Sequence, residues 1–409
     1  MPGFPRGRPG FFVPYPRRPH APVTSIRKWT RPAVVIPRSR RPPHSGIVPP
    51  GDPPHEGRVT FSWLIRIPEV FAEHAPEILA GLGAVPLKKL GGDYHLVQLA
   101  DFAALRASEW SKFVSWNLPV HHAWPCCPQK MEGFVEKAAQ AIFRKFGAPV
   151  PQTLLVGPLQ TGGAHPYYKH LATNLRGRTL QLFPPLGAAQ DVEAQDPGAP
   201  SLFCLVGKEG LFCGIQSPRE SNGFYPGGTK FIRQNAPETI SRAGAKIAEA
   251  LHYLKLHRPE LPAGAHWLEL GACPGGMTSE LLARGFRVTA VDKAPLDARL
   301  NGATGLKFRR ADVGEFQPAA GETFDALLCD MNGDARAALR QVVRLSRSLK
   351  PGGVIVFTLK GAGVESPAEM NELSRAAIAY ATASRLSVIA TTHLTYNRHE
   401  FTLFFEICP

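Results

Sequence analysis

Residues 267–292 read WLELGACPGGMTSELLARGFRVTAVD. An apolar run, Trp267 to Leu270, enters a turn made of Gly271, Ala272, Cys273, Pro274, Gly275 and Gly276. A helical pattern follows to Gly285, and a second apolar run, Val288 to Val291, stops on Asp292. This is strand, tight turn, helix, strand, with a carboxylate about 20 positions past the first glycine, the layout by which open parallel sheets hold an adenosine-containing ligand. Glycine lets the backbone approach the ligand closely, and the carboxylate accepts hydrogen bonds from a ribose diol. The turn is neither GxGxxG nor a Walker loop with its lysine, which argues against a dinucleotide or a triphosphate.

Outward from this stretch the alternation continues. Apolar runs near 266–270, 287–291, 306–310, 324–329 and 353–359 read as strands with helices between them, and 386–392 with 401–407 reads as an antiparallel pair after a helix over 367–384. A helix is expected before the first strand, from near Pro237 to about His257. In a doubly wound sheet the ligand lies beyond the carboxyl ends of the strands, so the residues that end each run should line the pocket. These are Gly271 to Gly276, Asp292, Asp312, Asp330 and Lys360. Asp292 is assigned to ribose hydroxyls and Asp312 to an adenine amino group. A lysine that ends a buried strand is costly to desolvate unless it is paired or used.

Upstream, the chain divides by composition. Residues 1–57 hold 15 of the 40 prolines and ten Lys and Arg against Asp52 and Glu56, a net +8 of the chain's +14. Proline at that density forbids helix and central strand, so a disordered arm is expected, either an electrostatic RNA tail or a dispensable extension. Residues 58–125 alternate strand (59–67), helix (68–82), strand (94–99) and a short helix from Asp101, a small α+β domain of ferredoxin-like type. Residues 126–222 repeat the theme: helix 131–146, strand 153–156, helix 167–182, then a hairpin of 202–206 with 211–215. Neither carries a convergent set of acids, bases or nucleophiles, so binding is a better expectation for both than chemistry.

At 409 residues, 44% hydrophobic and 20% charged, the chain is expected to fold as two or three soluble domains. No apolar run reaches the roughly 20 residues that span a bilayer, and the basic N-terminus does not read as a secretory signal. Seven scattered cysteines suggest the cytoplasm rather than a disulfide framework. His121, His122, Cys126 and Cys127 lie near one another without a CxxC pair and read as a plain loop, so no metal is expected. A net charge of +14 favours a polyanionic partner.

The Cys-Pro-Gly-Gly turn after the first strand resembles the FtsJ-like methyltransferases that use S-adenosylmethionine. More closely, Gly271-Ala-Cys-Pro-Gly-Gly, the Ser-Arg-xxx-Lys segment at 241–246, Cys329-Asp330-Met331, Leu359-Lys360 and Glu400-Phe-Thr resemble the RlmM family of large-subunit rRNA cytidine 2′-O-ribose methyltransferases. The resemblance covers residues 200–409 well and 58–200 only in layout. It implies an α/β fold: a class I, Rossmann-like methyltransferase domain over 223–409, preceded by ferredoxin-like and THUMP-like α+β domains that capture RNA. It also implies a tetrad of Lys246, Asp330, Lys360 and Glu400, with Lys360 as the base. Cofactor contacts are then expected from Ala243, Gly271, Cys273, Pro274, Gly275, Gly276, Asp292, Asp312 and Asp330. Ala243 stands where the family has a serine, Met277 where it has a tryptophan, the segment from Tyr396 to Glu400 is one residue short, and the arm has no counterpart. The expected partner is RNA, with neither DNA nor membrane, and a monomer is favoured. Another RNA such as tRNA, and a non-catalytic RNA-binding assembly factor, are the competing expectations.

Overall fold

The computed structural model describes residues 61–159, 166–184, 186, 192–234 and 239–408. The expected arm, 1–57, lies outside them. Three sheets are present among the described residues.

The first has the order β2-β3-β1-β4, formed by β1 (Phe61–Arg66), β2 (Val85–Lys89), β3 (Tyr94–Leu99) and β4 (Trp116–Pro119), with every pairing antiparallel. Helices α1 (Ala75–Gly81) and α2 (Phe102–Ala107) lie along it. A six-residue 3-10 turn, Glu69–His74, occupies the first half of the helix expected from Pro68. The second sheet has the order β5-β8-β7-β6, from β5 (His122–Pro125), β6 (Thr153–Pro158), β7 (Ser201–Gly207) and β8 (Gly210–Gln216), with α3 (Phe134–Phe146) and α4 (Pro166–Leu182) on one face. Strand alternation decides the packing. Leu64, Tyr94, Trp116 and Leu118 of the first sheet meet Leu155, Phe203, Leu205 and Phe212 of the second in one buried cluster. Trp63, Ile65, Val97 and Leu99 point the other way.

After α5 (Pro218–Ser221) and α6 (Ala243–Leu254) comes the large sheet. Its strands are β9 (His266–Leu270), β10 (Arg287–Asp292), β11 (Leu306–Arg310), β12 (Phe324–Cys329), β13 (Leu349–Leu359), β14 (Leu386–Thr392) and β15 (Phe401–Ile407), in the order β11-β10-β9-β12-β13-β15-β14. All neighbours are parallel except that β15 runs against both β13 and β14. Helices α6 and α7 (Gly276–Ala283) cover one face, and α8 (Ala335–Ser346) and α9 (Pro367–Ala383) the other. Burial on both faces explains the unbroken apolar runs: Trp267, Val288, Ala290, Ala326 and Val354 face one helix layer, while Leu268, Leu270, Val291, Leu327 and Ile355 face the other. Phe324, Phe357, Phe401, Phe404 and Phe405 are each under 2% exposed. Removing a side chain of that size from water contributes roughly 1.5–3 kcal/mol.

Two departures from expectation bear on the site. Helix α6 starts at Ala243 rather than near Pro237, with Ser241 still in the entering loop and its carbonyl accepting from Gly244 N–H at 3.3 Å. Two 3-10 turns beside the first sheet, Glu69–His74 and Glu109–Phe113, also pack directly on the large one. Phe71 stacks on Phe401 with ring centroids 5.7 Å apart, and Phe113 meets the same ring edge-on at 5.1 Å. Among the described residues no helix is long and apolar enough to cross a membrane, and no group of three or more His, Cys, Asp or Glu could hold a metal ion.

Candidate active site

The winding of the large sheet reverses between β9 and β12, and a cleft of about 450 Å³ opens there at the carboxyl ends of the strands. That volume suits a nucleoside-sized ligand. Its walls include Ala243, Gly271, Cys273, Pro274, Gly276, Asp292, Asp312, Asp330 and Lys360 from the sequence-based expectation.

The turn after β9 is shaped by steric necessity at two glycines. Gly275 has φ 105°, a conformation that side chains with a Cβ rarely adopt. It sits off the cleft wall, against Leu300. A Cβ on Gly276 would fall 2.1 Å from Ser241 Oγ and 3.1 Å from Ser241 O, so a side chain there would turn the serine and press on the loop before α6. The N-cap of helix α7 is a glycine without a side-chain bond; Glu269 takes the Thr278 amide, and Gly276 and Met277, the first two residues of the helix, line the cleft. Asp292 ties the turn to β10: Cys273 N–H and Ala294 N–H donate to its two carboxylate oxygens, each at 2.9 Å. Asp312 accepts from Lys293 and, at 2.6 Å, from Gly314 N–H, and these bonds hold its carboxyl below the usual range.

The tetrad residues stand as two pairs. Lys360 Nζ lies 3.0 Å from Asp330 Oδ1 and donates to Asn332 Oδ1, also at 3.0 Å. Lys246, on α6 one turn beyond Ala243, hydrogen-bonds Glu400. Burial raises the Glu400 carboxyl, but the bond and charge of Lys246 outweigh it, and the group is held below its ordinary value. Strand register brings the pairs to one edge. Leu359 is paired with Phe401, so one step further puts Lys360 and Glu400 at the same end of adjacent strands. Parallel pairing of Cys329 with Phe357 brings Asp330 there as well. Lys246 and Glu400 do not line the cleft itself.

Three polar wall residues were not singled out from sequence. Asn332 and Lys293 are single polar residues in polar loops, which carry no pattern. Glu269 was hidden inside an apolar run, and that placement was itself the signal. It is 2% exposed, accepts from Thr278 Oγ1 at 2.7 Å, and burial pushes its carboxyl up to about 8, with Thr278 opposing and the charges of Asp330 and Asp292 adding to the rise.

A reversed-strand α/β sheet whose switch-point cleft presents a helix start, a diol-spaced carboxylate and a lysine–carboxylate pair defines an S-adenosylmethionine-dependent methyltransferase. Consistent with this, residues 239–361 match the FtsJ-like methyltransferase family. A curated relative, ribosomal RNA large subunit methyltransferase M of Halorhodospira halophila, is 32% identical over 240 residues, covering 55% of this chain and 67% of that protein. The chain belongs to that family. The protein of the same name from Shewanella halifaxensis is 32% identical over 145 residues, 34% of this chain and 39% of that one. Fibrillarin of Aeropyrum pernix, solved with bound S-adenosylmethionine, aligns over 36% of this chain and 70% of its own at 20% identity and a TM-score of 0.30. The fold assignment therefore rests on the strand order above rather than on that likeness.

Proposed function

We propose that the protein methylates the 2′-hydroxyl of a ribose in large-subunit rRNA, at a cytidine, in the cytoplasm, and that Lys360 takes the hydroxyl proton. The contact of Lys360 with Asp330 and Asn332 at the cleft mouth carries the reading. When bound, the cofactor supplies an electrophilic methyl group on a sulfonium. The 271–276 turn and Ala243 would hold it, with Asp292 at the ribose diol and Asp312 at the adenine amino group.

A neutral hydroxyl is a weak nucleophile, and a base at the reacting oxygen supports its attack. Lys360 donates to Asn332 Oδ1, and its Nζ lies 3.0 Å from Asp330 Oδ1; these contacts hold the amino group at the cleft mouth, where it would take the hydroxyl proton. Lys246 and Glu400, a self-neutralised pair at the same sheet edge, fix the flank where the ribose enters. The two small sheets of 61–216 are read as the ferredoxin-like and THUMP-like domains that capture the RNA. The packing of the first of them on Phe401, and of the second on the first, would set captured RNA at a fixed distance from the base.

Single-turnover assays on deproteinised rRNA from a strain lacking the gene test this reading. Lys360→Ala should lose about 10²–10⁴-fold in methyl transfer while cofactor affinity stays within twofold. Unchanged transfer would remove Lys360 from the chemistry, and a wild-type protein that binds rRNA without methylating it would favour an assembly factor.

A further inference from the structure

One large aromatic side chain stands apart from the packing rules that govern the rest of the chain. Phe231 is 87% exposed, far above the 57% of Val85, the next most exposed large hydrophobic among the described residues. A loose segment would make such exposure trivial, but this one is clamped on both sides. Arg66 Nη1 donates to Gly227 O at 2.8 Å and to Thr229 Oγ1, while its Nε is bonded to Asp93 at 2.6 Å. Lys230 is held by Glu193. Beyond Phe231, Ile232 N–H donates to the Tyr396 hydroxyl at 2.8 Å, and that hydroxyl donates back to Ile232 O at 3.2 Å. The backbone is thus fixed on either side of a side chain that touches almost nothing.

The clamp also fixes where the ring is mounted. Tyr396 N–H and Thr395 N–H donate to the Glu249 carboxylate at 3.1 and 3.0 Å. Glu249 lies on α6 three residues after Lys246, and Tyr396 lies four residues before Glu400. Phe231 is therefore mounted, through one tyrosine, on the two elements that carry the Lys246–Glu400 pair. Arg233, on the Phe231 segment, and Arg398, on the loop between Tyr396 and Glu400, are both exposed, and neither has a side-chain partner among the described residues. An exposed aromatic ring on a held backbone, with exposed arginines on its own segment and on the loop that clamps it, suits a flat, π-faced group attached to phosphates, which is an unpaired nucleobase.

We propose that Phe231 is a stacking platform for an unpaired base of the RNA strand next to the ribose being methylated, with Arg233 and Arg398 taking flanking phosphates. This rests on the reading of RNA as substrate and adds a positioning residue that contacts the strand outside the cofactor cleft. Stacking tolerates any base, so it would secure the strand's path rather than select its sequence. The methylated ribose would then be presented with its neighbour already splayed from the helix.

The test uses full-length protein with two probes: a single-stranded RNA oligonucleotide carrying 2-aminopurine, and deproteinised large-subunit rRNA. Phe231→Ala should weaken binding to both by about 5- to 100-fold, raise KM for rRNA more than it lowers kcat, and abolish the quench of 2-aminopurine. Phe231→Tyr should restore all three, and S-adenosylmethionine affinity should be unchanged in both variants. Arg233→Ala should flatten the dependence of log K on log salt by about 0.7, the share of one phosphate on a single strand. Naked-RNA binding by Phe231→Ala within twofold of wild type would overturn the proposal. So would a defect confined to ribosomal particles, which would make Phe231 a contact for a protein. If wild-type protein leaves rRNA unmethylated while Phe231→Ala still loses RNA, the stacking stands and the assigned reaction falls.

Discussion

Replacing Glu269 by Gln should remove a pH-dependent destabilisation that the wild-type protein carries. Glu269 is fully buried on β9, and burial pushes its carboxyl from 4.5 up to about 8. Between those two values the native protein keeps the proton and the unfolded chain has released it. The native state then binds one proton more, and stability falls by about 1.4 kcal/mol per pH unit. The favourable contribution is complete below 4.5, declines through that window, and is gone above 8. From pH 6 to pH 8 the loss comes to about 2 kcal/mol. Gln keeps an oxygen to accept from Thr278 Oγ1 and cannot ionise. His257 and His393, both pushed down to about 4 by burial, are unchanged in the variant, so they cancel in a difference. Thermal melts without cofactor at pH 6, 7, 8 and 9 give the measurement. The Tm of Glu269→Gln minus that of wild type should rise by roughly 4–8 °C between pH 6 and 8 and then level off. A difference that does not change with pH would refute the reasoning, because it would mean that Glu269 is already ionised in the native protein.

Gly276→Ala adds a good helix former at the first position of α7, yet its Cβ would fall 2.1 Å from Ser241 Oγ. Calorimetric titration should show weaker S-adenosylmethionine affinity, and thermal melts should lack the gain of up to ~1 kcal/mol in stability that helix propensity alone predicts. Lys246→Ala and Glu400→Gln should each lower kcat, and the double variant should be no worse than the poorer single one, since either change breaks the same pair. Full additivity in that cycle would show that the two residues act separately.

Much of the catalytic domain was legible in the chain because its strands are covered on both faces. Double burial writes each strand as an apolar run, and a run that stops on Asp292, Asp330 or Lys360 marks the sheet edge where a ligand binds. Glycines at 271–276 were equally legible, since a turn of that shape excludes most side chains. Other parts left no such mark. Strand β2 is exposed at all five residues and β5 has only four, so neither shows a burial period. Helix α6 starts later than the sequence suggests because residues 239–242 hold no glycine or proline to mark the boundary, while Ser241 is placed by its contact with Gly276.

From its order of residues alone, this chain determined the alternation of strand and helix, the residues that end each strand, and the glycine turn, all of which depend on local geometry and burial period. Tertiary structure decided that Asn332 completes the Lys360 contact, that Phe71 and Phe113 close on Phe401 from some 300 residues away, and that Phe231 is left in water. These depend on which surfaces meet after folding, and a contact between distant segments has no period for a sequence to display.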